Sequence, residues 1–102
     1  MPRFMFAYHG GKRPDDDAEG MQEIQRWKDW LDGMGDVAYD RGNPVGFSKT
    51  VYADRVEDNG GSNPLSGYSI VNVTDIDAAV AIAKQCPILP GGTIEVVEIM
   101  EM

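Results

Sequence analysis

The sequence predicts an α+β fold, one antiparallel sheet carrying two helices on one face. Three observations predict it. Apolar, β-prone runs of strand length occur at residues 4–8, 68–73 and 94–100. Two segments between them carry helical spacing, at about residues 17–34 and 76–86. A chain of 102 residues fits a single domain, residues 1–102, since domains commonly run to about 100–150 residues.

The elements follow in order. Phe4 to Tyr8 alternate in the manner of a buried strand, closed by His9-Gly10-Gly11. A polar stretch over residues 12–17 comes next, and one of Asp15, Asp16 and Asp17 is placed to cap a helix. Met21, Ile24, Trp27, Leu31 and Met34 then repeat at three or four residues and form one helical face, with Gly33 and Gly35 as the stop. Val37, Ala38 and Tyr39 form a short second strand, and Asp40-Arg41-Gly42-Asn43-Pro44 reads as a turn. Residues 49–53 extend that strand into a hairpin, and residues 54–66 read as a long loop.

Residues 68–73 form the next strand. Thr74-Asp75-Ile76-Asp77 has the form of a capping box, with Thr74 as the cap. Ile76, Ala79, Val80 and Ala83 line one face of the second helix, which Pro87 ends just after Cys86. Pro90-Gly91-Gly92 turns the chain into a last strand at residues 94–100. The order strand, helix, strand, strand, helix, strand describes a ferredoxin-like β-α-β-β-α-β sandwich.

Both faces of the central strands are apolar. Phe4, Phe6 and Tyr8 oppose Met5 and Ala7, Ile70 opposes Val71 and Val73, and Ile94 and Val96 oppose Val97 and Ile99. Two helices cover one face only. Covering about 600 Å² of the other would contribute roughly 15 kcal/mol per subunit before association costs. The expected solution is a homodimer that packs sheet against sheet about a two-fold axis.

Composition narrows the function. The hydrophobic fraction of 42% and charged fraction of 25% are those of a folded chain. A net charge of -8 argues against a nucleic-acid partner, because phosphate recognition needs basic patches. No apolar run reaches the roughly 20 residues of a membrane span, and the first residues lack the form of a signal peptide. A single cysteine forms no intrachain disulfide and suits the cytoplasm. Cys86 reads as a small buried hydrophobe at a helix end.

Several segments together carry a family likeness. They are residues 3–11, Trp27-Lys28-Asp29-Trp30, Gly42-Asn43-Pro44, residues 67–71, residues 77–83, Cys86-Pro87 and residues 91–96, which read Gly-Gly-Thr-Ile-Glu-Val. In these the chain resembles the YCII-related (DGPF-domain) proteins, small bacterial proteins of the dimeric α+β barrel group. The resemblance spans nearly the whole chain and implies a ferredoxin-like fold and a homodimer, but little about activity. Two departures stand out. Where many relatives have Asp-Gly-Pro-Phe, this chain reads Asp58-Asn59-Gly60-Gly61-Ser62-Asn63-Pro64. Some relatives resemble enzymes with a His–Asp pair whose histidine lies in the first helix region, and this chain has no histidine there.

Its sole histidine, His9, is the candidate catalytic residue. It stands at a strand end beside two glycines, and imidazole exchanges protons near neutral pH. The plain alternative is a histidine hydrogen-bonded to a loop carbonyl. Trp27, Asn43, Asn63 and Tyr68 are candidate ligand-binding residues, an apolar wall with polar contacts. Alternatively, Trp27 belongs to the core and Trp30 to a helix edge. The aspartates at 15–17 read as a solvated helix start, and no spacing of the zinc kind occurs. Ser48, Ser62, Ser66 and Ser69 lack a nucleophile-elbow motif. No cofactor is implied. Two readings compete: a dimeric small-molecule-binding protein or cofactor-independent enzyme with a pocket near His9, and a non-catalytic accessory or regulatory module working through surface contacts.

Overall fold

The computed structural model describes residues 1–11 and 15–102. The polar stretch expected from residue 12 therefore lies, over 12–14, outside the described residues. The chain forms β1 (Arg3–Gly10), α1 (Asp17–Met34), a single 3-10 turn (Gly35–Val37), β2 (Ala38–Pro44), β3 (Thr50–Val51), β4 (Val56–Glu57), β5 (Leu65–Asn72), α2 (Ile76–Ala83) and β6 (Gly92–Glu98). Four strands form one sheet in the order β2-β5-β1-β6, with every neighbouring pair antiparallel. This is the ferredoxin-like α+β arrangement.

Alternation along β1 sorts the core. Phe4, Phe6 and Tyr8 point to the helices and are buried with Val71 and Val73 of the β5 side, Ala79 and Ala83 of α2, and Cys86 and Ile88 beyond it. Register places Met5 opposite both Ile70 and Val97 on the other face, which no helix covers.

The α1 face differs from the expected stripe. Met21 is 72% exposed and Ile24 57% exposed, so the first half of the helix stands away from the sheet. The inward contacts are Trp27, Trp30 and Met34. Trp30 is no edge residue: its ring stacks on Phe6 at 6.0 Å, and its indole N–H donates to the Ile82 carbonyl at 3.3 Å. Asp16 caps α1 by accepting from the Glu19 amide at 2.7 Å. On α2 the cap is Asp75, which accepts from the Ala78 amide at 2.8 Å, and not Thr74. The helix starts one residue later than the capping-box spacing suggests. Ile76, exposed, lies off the buried face.

The residues read as a turn, 40–44, are strand. β2 is an edge strand, where proline needs no ladder partner on its free side. Two register shifts against β5 absorb the polar residues as bulges, and Asp40 accepts from the Gly42 amide at 2.8 Å. Gly42 has φ +77°, and a Cβ there would collide with the Tyr68 carbonyl. The expected hairpin at 49–53 is also corrected. Thr50–Val51 pairs only with Val56–Glu57, inside the segment expected to be loop, as a ribbon separate from the main sheet. The radius of gyration is 14.9 Å, against about 13 Å for a compact chain of this length. Among the described residues, no helix is long and apolar enough to cross a membrane.

Candidate functional site

Because the first half of α1 stands off the sheet, a cleft of about 760 Å³ opens beneath it. Its helix wall carries Glu23, Ile24, Trp27 and Leu31. The sheet side offers Tyr8 from β1, Arg41 to Pro44 from β2, and Ser66 to Ser69 from β5. The third wall is the turn after α2, with Pro87, Ile88 and Leu89. A volume of this size suits a drug-sized molecule, for which roughly 300–1,000 Å³ is usual, and apolar walls with a few fixed polar groups are the common design.

An aromatic cluster forms the inner wall. Tyr8 and Trp27 meet edge to face at 4.9 Å, Trp27 and Trp30 at 5.7 Å, and Tyr8 and Trp30 at 6.3 Å. Such pairs prefer this geometry because each ring has a negative face and a positive edge. The Trp27 indole N–H donates to Glu23 at 3.2 Å, and Glu23 also pairs with Arg26. Arg41 pairs with Asp32 at 2.8 Å. Each pair has at least one side chain that is half exposed or more, so neither adds much to stability.

At the inner end, the Tyr8 hydroxyl donates to Ser69 Oγ at 2.7 Å. Ser69 in turn donates to the Arg41 carbonyl, also at 2.7 Å. Ser69 is the one buried polar side chain among the described residues outside the aromatic set, and this pair satisfies it. Burial holds the Tyr8 phenol well above its ordinary pKa, more than the bond to Ser69 lowers it. Burial likewise pushes the Cys86 thiol up to about 11, the condition of an unreactive core cysteine.

Trp27 and Asn43 come together at this cleft. Tyr68 borders it too, although pairing with Ala7 turns the Tyr68 side chain toward the other face, and Asn43, the direct ladder partner of Tyr68, turns its side chain the same way. His9 and Asn63 do not line it. His9 lies on the face away from the helices, with Nδ1 3.0 Å from the Asn63 carbonyl and Nε2 3.3 Å from Glu95 Oε1. The imidazole is 12% exposed and fastens the loop before β5 to the β1–β6 edge of the sheet. Asn63 takes part through its backbone, not its amide. Ser66 donates to the Gly10 carbonyl at 2.7 Å, so neither cleft serine meets the histidine. Among the described residues, no three metal-ligating side chains converge.

Sequence reasoning passed over Tyr8 and Ser69. A signal existed: both are polar at positions whose alternation points to the core. Their meeting depends on the β1–β5 register, which places Ser69 opposite Phe6, next but one to Tyr8.

The family model of the YCII-related domain matches residues 4–102. No curated protein matches the chain.

Proposed function

This chain belongs to the YCII-related family, and from that premise we propose that it is a homodimer binding one small, flat, largely apolar molecule per subunit in the cleft under α1. The observation that carries the reading is the Trp27 wall. A half-buried indole, braced edge-on by Tyr8 and tied through its N–H to Glu23, presents a fixed aromatic surface to an open volume. The backbone of β2 at Asn43 and Pro44 borders the mouth. Tyr68 supports the β2 edge that carries Asn43, through their register pairing. His9 and Asn63 take the supporting part of holding the 58–64 loop. A cytoplasmic setting agrees with the single buried cysteine.

Dimerisation is supported by the uncovered face, where Met5, Ile70 and Val97 are neighbours across three strands. Large exposed apolar patches are uncommon on soluble monomers. Sedimentation equilibrium at low micromolar concentration tests this. The expected mass is twice 11.2 kDa, and a mass of 11.2 kDa overturns it. Val97→Asp is expected to shift the equilibrium toward monomer, since it places an unpaired charge in the contact.

The binding reading is tested by NMR titration with small aromatic acids, amides and phenols, following the Trp27 indole N–H. A saturable shift that Trp27→Leu weakens about tenfold supports it. A panel that leaves Trp27 and Asn43 unmoved overturns it.

One observation favours the second reading, an accessory module. The arm exposes Phe47 fully and Val51 and Val56 largely, away from the core. A surface of this kind suits a protein partner. Deletion of residues 46–58 would abolish partner binding under that reading and leave the cleft unaffected.

A further inference from the structure

The hydrogen-bond chain at the inner end of the cleft has a fixed direction. The Arg41 carbonyl only accepts, so the single hydroxyl hydrogen of Ser69 is committed to it. Ser69 Oγ then has no hydrogen for Tyr8, and the Tyr8 hydroxyl must be the donor between them. Both hydroxyl hydrogens are therefore in use. What Tyr8 and Ser69 still offer the cleft is lone pairs. Two other donors of the cleft lining are also engaged: the Trp27 N–H with Glu23, and the Ser66 hydroxyl with Gly10. The Glu23 carboxylate adds further acceptor capacity on the helix wall. Side-chain donors that remain, on Arg26, Lys28, Arg41 and Asn43, belong to exposed residues, and each arginine is drawn to a carboxylate of α1, Arg26 to Glu23 and Arg41 to Asp32.

We infer that the inner end of the cleft is an acceptor-only site, selecting a ligand that inserts a neutral donor, an aromatic O–H or N–H, against Tyr8 and Ser69. The inference rests on the small-molecule reading of the cleft and adds the polarity of its occupant. A carboxylate or phosphate entering in the same sense would bring its oxygens against oxygen lone pairs, with neither hydroxyl hydrogen of the Tyr8–Ser69 pair left to meet them, and would lose its hydration there. A phenol or an aromatic lactam enters with the matching polarity, and its ring lies against Trp27. Burial keeps Tyr8 protonated through the neutral range, so the direction of the chain does not reverse there.

The test compares three probes of one ring system on the intact protein: 2-naphthol, 2-methoxynaphthalene and 2-naphthoate. Affinity is read from the Trp27 indole N–H shift. The naphthol is expected to bind about tenfold more tightly than the ether, the usual weight of one buried hydrogen bond, and more tightly than the carboxylate. Ser69→Ala frees the Tyr8 hydroxyl to donate outward, so the margin between naphthol and ether should close. Equal or tighter binding of the ether or carboxylate by the native protein overturns the donor assignment while leaving the cleft a binding site. So does a margin unchanged in Ser69→Ala. No shift at Trp27 with any probe overturns the cleft reading itself and this inference with it. Should Ser69→Ala fail to fold, the native-protein comparison decides alone.

Discussion

Trp30 donates its indole N–H to the carbonyl of Ile82, joining the C-terminal part of α1 to the last turn of α2. The two helices lie on the same face of the sheet, and this bond, with the stack of Trp30 on Phe6, fixes how α1 sits over β1. Trp30→Phe keeps most of the ring area and removes the bond, leaving a half-buried carbonyl without that partner. Urea unfolding should show a loss of about 1 kcal/mol for Trp30→Phe and about 3 kcal/mol for Trp30→Ala.

The start of α2 gives a sharper test. Asp75 holds the Ala78 amide, so Asp75→Ala should cost about 1 kcal/mol. Thr74, one residue earlier, should tolerate alanine within about 0.5 kcal/mol. Denaturation midpoints of the two variants should separate clearly, and a larger loss at Thr74 would contradict the observed cap.

His9 bridges two acceptors, the Asn63 carbonyl and the Glu95 carboxylate. His9→Gln should release the loop ahead of β5 and leave the cleft as it was. Amide hydrogen exchange is expected to quicken over residues 58–64, with probe affinity at Trp27 unchanged. A fall in that affinity would bring His9 back into the binding site.

The buried thiol makes stability fall in alkali. In the folded chain Cys86 ionises at about 11, against 9.0 when unperturbed. The folded state therefore holds its proton over a range where the unfolded chain has lost it. This contribution is complete below pH 9.0 and disappears as pH rises toward about 11. Burial of Tyr8 acts in the same direction at higher pH. Unfolding free energy should decline across that window, and Cys86→Ala should flatten the decline. At neutral pH the native thiol should react slowly with a disulfide reagent, and at ordinary speed in urea.

Period-two alternation in β1 was enough to place Phe4, Phe6 and Tyr8 together on one face, because a strand turns its side chains by rule. The helix at 17–34 was equally legible, cap and stop included. Which helical residues face inward was not. Met21 and Ile24 keep perfect spacing with Trp27, yet spacing says nothing of where the sheet beneath them ends. The reading of residues 40–44 as a turn failed for a related reason: proline and glycine break an interior strand but are accommodated at an edge, and edge position depends on the full pairing order. The cleft was half legible. Trp27 and Asn43, singled out from the sequence, both border it, while the Tyr8–Ser69 pair needed the β1–β5 register, a property of two distant segments at once.

The bulged β2 edge also bears on how copies of this chain can meet. An unbroken edge strand is an open template, and a second chain can lengthen the sheet by adding to it. β2 interrupts its ladder twice, carries Pro44 at its end and places Asp40 and Arg41 in its course. It is a poor seam for another strand. Sideways growth into long ribbons is disfavoured on that side of the molecule.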